Sequence, residues 1–184
     1  MEKKVFQLKV TLCRTKPPIW RRLEVPADTT LGRLHDVVQF AMGWFDCHLH
    51  QFVAKGVCYG VPDPEFGPEM EDENKVRLDQ VLRKPKDKLT YEYDFGDSWY
   101  HDIVLEKALP GSNGKRYPVV TGGRGACPPE DCGGVGGFYR LLEILGDASH
   151  PEYKWMREWS GGDYDPKAFD LEAVNRAFQG RKKR

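Results

Sequence analysis

Cys127-Pro-Pro-Glu-Asp-Cys132 holds the two cysteines that lie closest together in the chain. A zinc site commonly takes such a pair together with a second pair. No second pair exists, so the missing ligands would come from His48, His50, His101 or Asp97. His48 and His50 alternate on an extended segment, so both face the same way and reach one ion. Zinc is the cofactor such a Cys/His set would hold; no other is implied. Two alternatives stand beside it: thiols packed in a loop with histidines satisfied in the core, or a reversible disulfide.

A second group is acidic. Asp94-Phe-Gly-Asp97 sits at the tip of a hairpin, and paired carboxylates there could do acid–base work or serve turn geometry. With Glu92, Asp102, Glu130 and Asp131 they form the candidate binding residues. Asp-Phe-Gly also occurs in protein kinases, but the companion catalytic loop, glycine loop and Val-Ala-Ile-Lys are absent. Gly122-Gly-Arg-Gly125 and Gly133-Gly-Val-Gly-Gly137 suggest anion binding, the second because it opens a helix. The P-loop Lys-Ser/Thr is missing and no clear buried strand precedes Gly133, so tight turns are the simpler reading. His101, between Trp99 and Ile103 on an apolar face, reads as a satisfied core histidine. No Ser-His-Asp or Cys-His signature is present, so no catalytic residue is nominated and an enzyme is not expected.

These residues need a scaffold, and periodicity supplies one. Phe6, Leu8, Val10 and Leu12 alternate with polar residues, as in a half-buried strand, and Ile19 to Val25 repeats the pattern. Arg21 falls on the apolar face of that second strand, which marks an edge or weakens the assignment. Thr29 or Thr30 and Gly43 bracket a helix over 31–42. It has two apolar stripes: Leu31, Leu34, Val38, Ala41 and Met42, then Val37, Phe40 and Trp44. Two stripes predict two covers, the sheet and the C-terminal half of the chain. Strands follow at 48–54 and 57–61, then a solvated loop at 63–73 with six acidic residues and no basic one. Residues 76–82 read as a short helical turn or an irregular link.

Leu89, Tyr91, Tyr93 and Phe95, then Trp99, His101, Ile103 and Leu105, alternate cleanly. A three-residue loop, Gly96-Asp97-Ser98, puts all eight on one face with Phe95 opposite Trp99. That register sets Glu92 against Asp102, an unfavourable pair of like charges. Residues 111–137 carry nine glycines and form a loop lobe with a brief strand at Val119-Val120. Helices are predicted at 138–145, from a Ser149–Glu152 capping box to Trp159, and from Asp165-Pro166 to Phe178.

The order points to an α+β fold: a mixed sheet with a β-grasp-like N-terminal arrangement packed on one central helix, plus a C-terminal helical extension. At 184 residues it reads as one domain. Residues 5–110 form the sheet-plus-helix core, 111–137 the lobe, 138–180 the extension and 181–184 a basic tail. Lys+Arg and Asp+Glu both number 28. The four-residue basic tail leaves the chain before it at net −4, which argues against a strong nucleic-acid surface. Aromatic and basic neighbours (Trp20, Arg21, Arg22; Tyr91 and Tyr93 near Lys86 and Lys88) and the tail are what such a surface would use. No apolar run approaches a membrane span and no secretion signal is seen, so five free thiols in the cytoplasm are expected.

Taken together, Ile19-Trp-Arg-Arg-Leu-Glu-Val-Pro26, Thr30 to Trp44, His48-Leu-His-Gln-Phe52, Tyr93 to Ile103, Cys127 to Gly134 and Gly162 to Asn175 resemble one family over about residues 5–178. It is the pRi-plasmid ORF-three-like family, also labelled the insertion-element passenger TnpR family. The resemblance implies a single α+β domain found in bacteria and archaea, often on plasmids and mobile elements, without an established activity. The TnpR label suggests a resolvase, but no serine-recombinase site is present and no catalytic residue carries over. The expectation is an accessory or binding module with a macromolecular partner, protein rather than nucleic acid, and no membrane. A nucleic-acid accessory protein, or a metal-binding protein using Cys127 and Cys132 with a histidine, is the alternative. Three things could fix the 127–132 loop: packing of Pro128 and Pro129 on Phe40 and Trp44, which is favoured, a disulfide, or a metal.

Overall fold

A computed structural model describes residues 3–63, 65 and 69–180. The N-terminal hairpin is β1 (Lys4–Leu12) and β2 (Ile19–Pro26), followed by α1 (Leu31–Met42). Then come β3 (His50–Ala54), β4 (Val57–Gly60), β5 (Glu71–Asp72), α2 (Leu78–Val81), β6 (Lys88–Tyr93) and β7 (Trp99–Pro110). The chain continues through β8 (Val119–Arg124), α3 (Gly134–Gly146), α4 (Tyr153–Trp159) and α5 (Leu171–Gly180). The basic tail at 181–184 and part of the acidic 63–73 segment lie outside the described residues.

The strands form one open eight-stranded sheet in the order β5-β4-β3-β6-β7-β1-β2-β8. All pairs are antiparallel except β4 with β5, so the fold is a mixed α+β one. In the glycine-rich 111–137 segment the brief strand expected at Val119-Val120 runs on to Arg124 and forms the edge strand β8. At that edge Val120 gives its N–H to Asn175 Oδ1 and takes Nδ2–H on its carbonyl, so an α5 side chain pairs the strand as a peptide group would.

α1 forms where its caps dictate. Thr30 Oγ1 accepts the Arg33 N–H, and Gly43 ends the helix with φ 99°. Leu31, Leu34, Val38, Ala41 and Met42 are buried in the same core as Phe6, Leu8, Leu23, Tyr93, Trp99 and Ile103 of the sheet. Burying each such side chain contributes roughly 1.5–3 kcal/mol. The second stripe meets the C-terminal part, the Phe40 ring packing at 4.5 Å and tilted 50° against Phe178.

Several local expectations change. β2 is interior, not an edge, and Arg21 is buried on its apolar face because its guanidinium donates to four carbonyls: Trp20, Ala41, Arg124 and Gly125. It also stacks on Phe169, 4.2 Å from the ring centroid. In the β6–β7 hairpin Tyr93 faces Trp99, so the register is two residues from the expected one and the turn is wider. Phe95 leaves the core and is 44% exposed. The same shift opposes Glu92 to Tyr100, which removes the like-charge pair. Glu73 is not solvated: it is 3% exposed. α5 starts at Leu171, capped by the Asp170 carboxylate on the Ala173 N–H, and Ser149 bonds Asp147 rather than capping α4. Among the described residues no helix is long and apolar enough to cross a membrane.

Candidate functional site

Three loops meet at one end of the sheet: 43–49 after α1, 94–98 between β6 and β7, and 127–134 before α3. Each contact between them has a named donor. The Asp94 N–H reaches the Leu49 carbonyl at 2.9 Å. Tyr93 Oη donates to Glu130 Oε1 at 2.8 Å and accepts the Cys47 N–H. The Phe45 N–H also reaches Glu130, and Trp44 Nε1 reaches the Pro128 carbonyl at 3.0 Å. Burial and the Glu130 carboxylate both push the Tyr93 hydroxyl far above its ordinary pKa, so it stays a donor.

The anion held at the start of α3 is the protein's own. The Gly133 N–H donates to Asp97 Oδ2 at 3.1 Å, a favourable place for a carboxylate. Glycine is required here: Gly134 has φ 64°, and a Cβ on it would come 2.5 Å from the Asp97 carbonyl oxygen. A Cβ on Gly137 would run into the Cys132 carbonyl.

All five cysteines are free thiols. Burial raises Cys127 well above its ordinary pKa and Cys132 to about 12, so without a metal both carry their protons. The loop is held through Trp44, Tyr93 and Asp97, and Tyr164 Oη donates to the Cys127 carbonyl. Phe40 packs on α5 against Phe178.

The residues named from the sequence are redistributed. Among the described residues no three of Cys127, Cys132, His48, His50 and His101 come within ligating distance of one another. His101 is fully buried, as expected of a core histidine; neither ring nitrogen makes a hydrogen bond of full geometry, and the Tyr91 and Trp99 backbones favour its proton less than burial opposes it. Desolvation lowers its pKa to about 4. Its ring lies 5.3 Å from Trp44 and from Tyr91. Glu92 is buried, bonded by Gln51, and lies with Asp102 on the face of the sheet away from Tyr91 and Tyr93. Asp94, Asp97, Glu130 and Asp131 do meet at the loop end.

Two His/carboxylate groups could hold a metal ion: His35, Asp46 and His50, and His48, Asp94 and Asp131, each with ligand atoms within 4.8 Å of one another. Their hydrogen-bond states differ. In the first, the Asp46 N–H on Gln39 Oε1 fixes the amide, and Gln39 Nε2 donates to Tyr91 Oη. Tyr91 therefore donates to His35 Nδ1, and His35 Nε2–H donates to Asp46 Oδ1, each at 2.8 Å. His50 bonds the buried Glu73 at 2.9 Å. The two rings stack 3.4 Å apart and 6° from parallel, so their in-plane lone pairs run side by side rather than converging. Burial, and next His50, keep the His35 pKa below its ordinary value. This group is a closed proton chain. A metal on His35 Nε2 would move that ring's proton to Nδ1 and leave Tyr91 without an acceptor.

In the second group the imidazole nitrogen is not satisfied. His48 Nε2 is shielded from solvent and forms no hydrogen bond, although Asp131 Oδ1 stands 3.1 Å away and Asp94 Oδ2 3.7 Å. Asp94 Oδ1 accepts the Gly96 and Asp97 N–H groups.

The surface around this group is acidic and apolar. Segments 43–50, 94–98 and 127–134 contain five carboxylates and no Lys or Arg. Among the described residues none of Asp46, Asp94, Asp97, Glu130 or Asp131 is paired with a Lys or Arg. On these segments Phe45 is 81%, Leu49 71% and Phe95 44% exposed. A groove between α1 and α5, lined by Gln39, Phe40, Trp44, Phe45, Val174 and Ala177, opens next to Phe45. Of the aromatic and basic residues suggested as a nucleic-acid surface, Arg21, Tyr91 and Tyr93 are buried, Trp20 and Arg22 are half-buried, and the tail lies outside the described residues.

Residues 4–173 match the family model described as plasmid pRiA4b ORF-3-like protein. The chain is 39% identical over 175 residues to the uncharacterised protein y4hQ of Sinorhizobium fredii, covering 94% of this chain and 90% of that one. It also resembles the crystal structure of a protein of unknown function, MM3350, from Methanosarcina mazei Go1. There the TM-score is 0.85 at 38% identity, covering 95% of this chain and 99% of that one. The chain belongs to the plasmid pRiA4b ORF-3-like family.

Proposed function

We propose that the protein is a non-catalytic binding module whose loop end takes a cationic, apolar segment of a partner protein. One observation carries this reading: the loop end holds five carboxylates that, among the described residues, have no Lys or Arg partner, together with the exposed Phe45, Leu49 and Phe95, in a chain of zero net charge. Exposed apolar side chains rimmed by one sign of charge are what a binding surface of complementary charge looks like. The same charge repels phosphate, which disfavours nucleic acid at this end. Finer readings accompany the proposal: one domain with a grasp-like N-terminal frame, a passenger role on insertion elements, and residence in the cytoplasm.

The test is an array of synthetic peptides that alternate Lys or Arg with apolar residues, alongside charge-reversed copies. The cationic set should bind, lose affinity as salt rises, and lose about tenfold or more with Phe45→Ser or Leu49→Ser. Equal retention of the acidic copies, no binding at low salt, or indifference to both substitutions would refute the reading.

A further inference from the structure

We propose that His48 Nε2, Asp94 Oδ2 and Asp131 Oδ1 bind a divalent first-row transition-metal ion, with the cysteines taking no part. The three donors come from three separate loops, and their ligand atoms lie within 4.8 Å of one another. His48 Nε2 is cut off from water and has no hydrogen bond, yet it faces two carboxylate oxygens at 3.1 and 3.7 Å. A buried nitrogen left unbonded beside two acceptors costs free energy unless something else engages it.

The distances say what fits. Zinc bonds to imidazole nitrogen and carboxylate oxygen are about 2.0–2.2 Å. Two donors on a tetrahedron with such bonds stand roughly 3.4 Å apart. The observed separations from Nε2 fall on either side of that value, so an ion can sit among the three donors with small movements.

The surroundings hold the donors as a metal site requires. Asp94 Oδ1 is fixed by the Gly96 and Asp97 N–H groups at 2.9 and 3.3 Å, which turns Oδ2 toward the imidazole. The Tyr93 ring packs edge-on against His48 at 5.7 Å. Asp131 is mostly exposed, so the ion has a path in and keeps room for water. Among the described residues no Lys or Arg neutralises the two carboxylates. One imidazole with two carboxylates suits zinc, manganese or iron better than calcium or copper(I). The neighbouring His35 group has its donors committed to a closed proton chain, so it does not compete. The inference does not depend on the partner-segment reading.

The experiment uses untagged, chelator-treated protein titrated with Zn²⁺ and, separately, Mn²⁺ by calorimetry. Long-range ¹H–¹⁵N spectra follow the imidazole nitrogens, since the chain has only five histidines. Zinc should move His48 Nε2 and leave the His35, His50 and His101 rings in place. His48→Asn and Asp131→Asn should each weaken zinc binding by at least about tenfold with the circular dichroism unchanged, while Phe45→Ser should not weaken it. The peptide reading can thus fail with the ion reading intact, and the reverse. The inference is overturned if neither ion binds at millimolar concentration, or if both variants bind as the parent does. It is also overturned if Cys127→Ser abolishes binding or the shifted resonances belong to His35 and His50.

Discussion

His101 is the residue whose replacement should raise stability most. Its ring is fully buried among Trp44 and Tyr91, neither nitrogen makes a hydrogen bond of full geometry, and what the Tyr91 and Trp99 backbones contribute does not offset burial. Leaving a buried polar group unsatisfied costs about 1–3 kcal/mol. Burial also holds its pKa at about 4 against 6.5 for an exposed imidazole. One pKa unit corresponds to about 1.4 kcal/mol, so the full difference is about 3 kcal/mol. Because the folded pKa is depressed, the unfolded chain binds the extra proton. The stability is therefore present above pH 6.5 and is lost as pH falls toward 4. His101→Phe and His101→Leu should both remove that loss. Urea unfolding followed by tryptophan fluorescence at several pH values from 7 to 4 gives the comparison. The variant-minus-parent stability should grow by about 3 kcal/mol across that range. At pH 7 at least one variant should exceed the parent by about 1 kcal/mol. A misfit of the new side chain shifts its curve at every pH equally and leaves the slope difference intact. Other titrating groups, His35 included, are common to all three proteins and cancel. A difference independent of pH would refute the reasoning, and so would a parent more stable than both variants at pH 7.

Other substitutions probe the same frame. Gly137→Ala drives a Cβ into the Cys132 carbonyl and should cost about 2 kcal/mol or more, whereas Gly136→Ala, with open space around it, should stabilise α3 by up to about 1 kcal/mol; equal melting temperatures for the two would contradict the loop geometry. Leu34→Ala should cost about 2–5 kcal/mol in chemical denaturation, and a value under about 0.5 would mean α1 is not packed as described. Tyr93→Phe removes the donor to Glu130 and the acceptor of the Cys47 N–H, so thermal unfolding should report a loss of about 1.5–3 kcal/mol, and an unchanged midpoint would show the loops are held otherwise.

Much of the frame is legible as period. Strict alternation in β1, β2, β6 and β7, and Thr30 with Gly43 around α1, locate most of the sheet and its helix before any coordinates exist. Contacts between distant segments leave no such signal. Nothing around Glu73 distinguishes it from the acidic loop residues beside it, yet it is the one that closes on His50. Arg21 looks like an error on an apolar face until four carbonyls, from its own strand, the end of α1 and the end of β8, meet it. The hairpin register slipped because Asp94 takes a left-handed backbone, φ 58°, and widens the turn. For the candidate site the sequence supplies the residues but not the grouping. His48 reads as a partner of the cysteines and Asp94 and Asp131 as a separate set of binding carboxylates, and only the meeting of three loops joins them.

Asn175 has a consequence for how the molecule behaves in a crowd. The primary amide carries the same donor and acceptor as a peptide group, and it occupies the outward N–H and C=O of Val120 in the last strand. An incoming chain that tried to continue the sheet there would have to displace α5 first. At the opposite margin β5 offers only two residues, too short a template to nucleate a ladder. Asn175→Ala would uncover the mid-strand groups of β8 without touching the core, and its signature would be concentration-dependent clumping rather than a lower melting point.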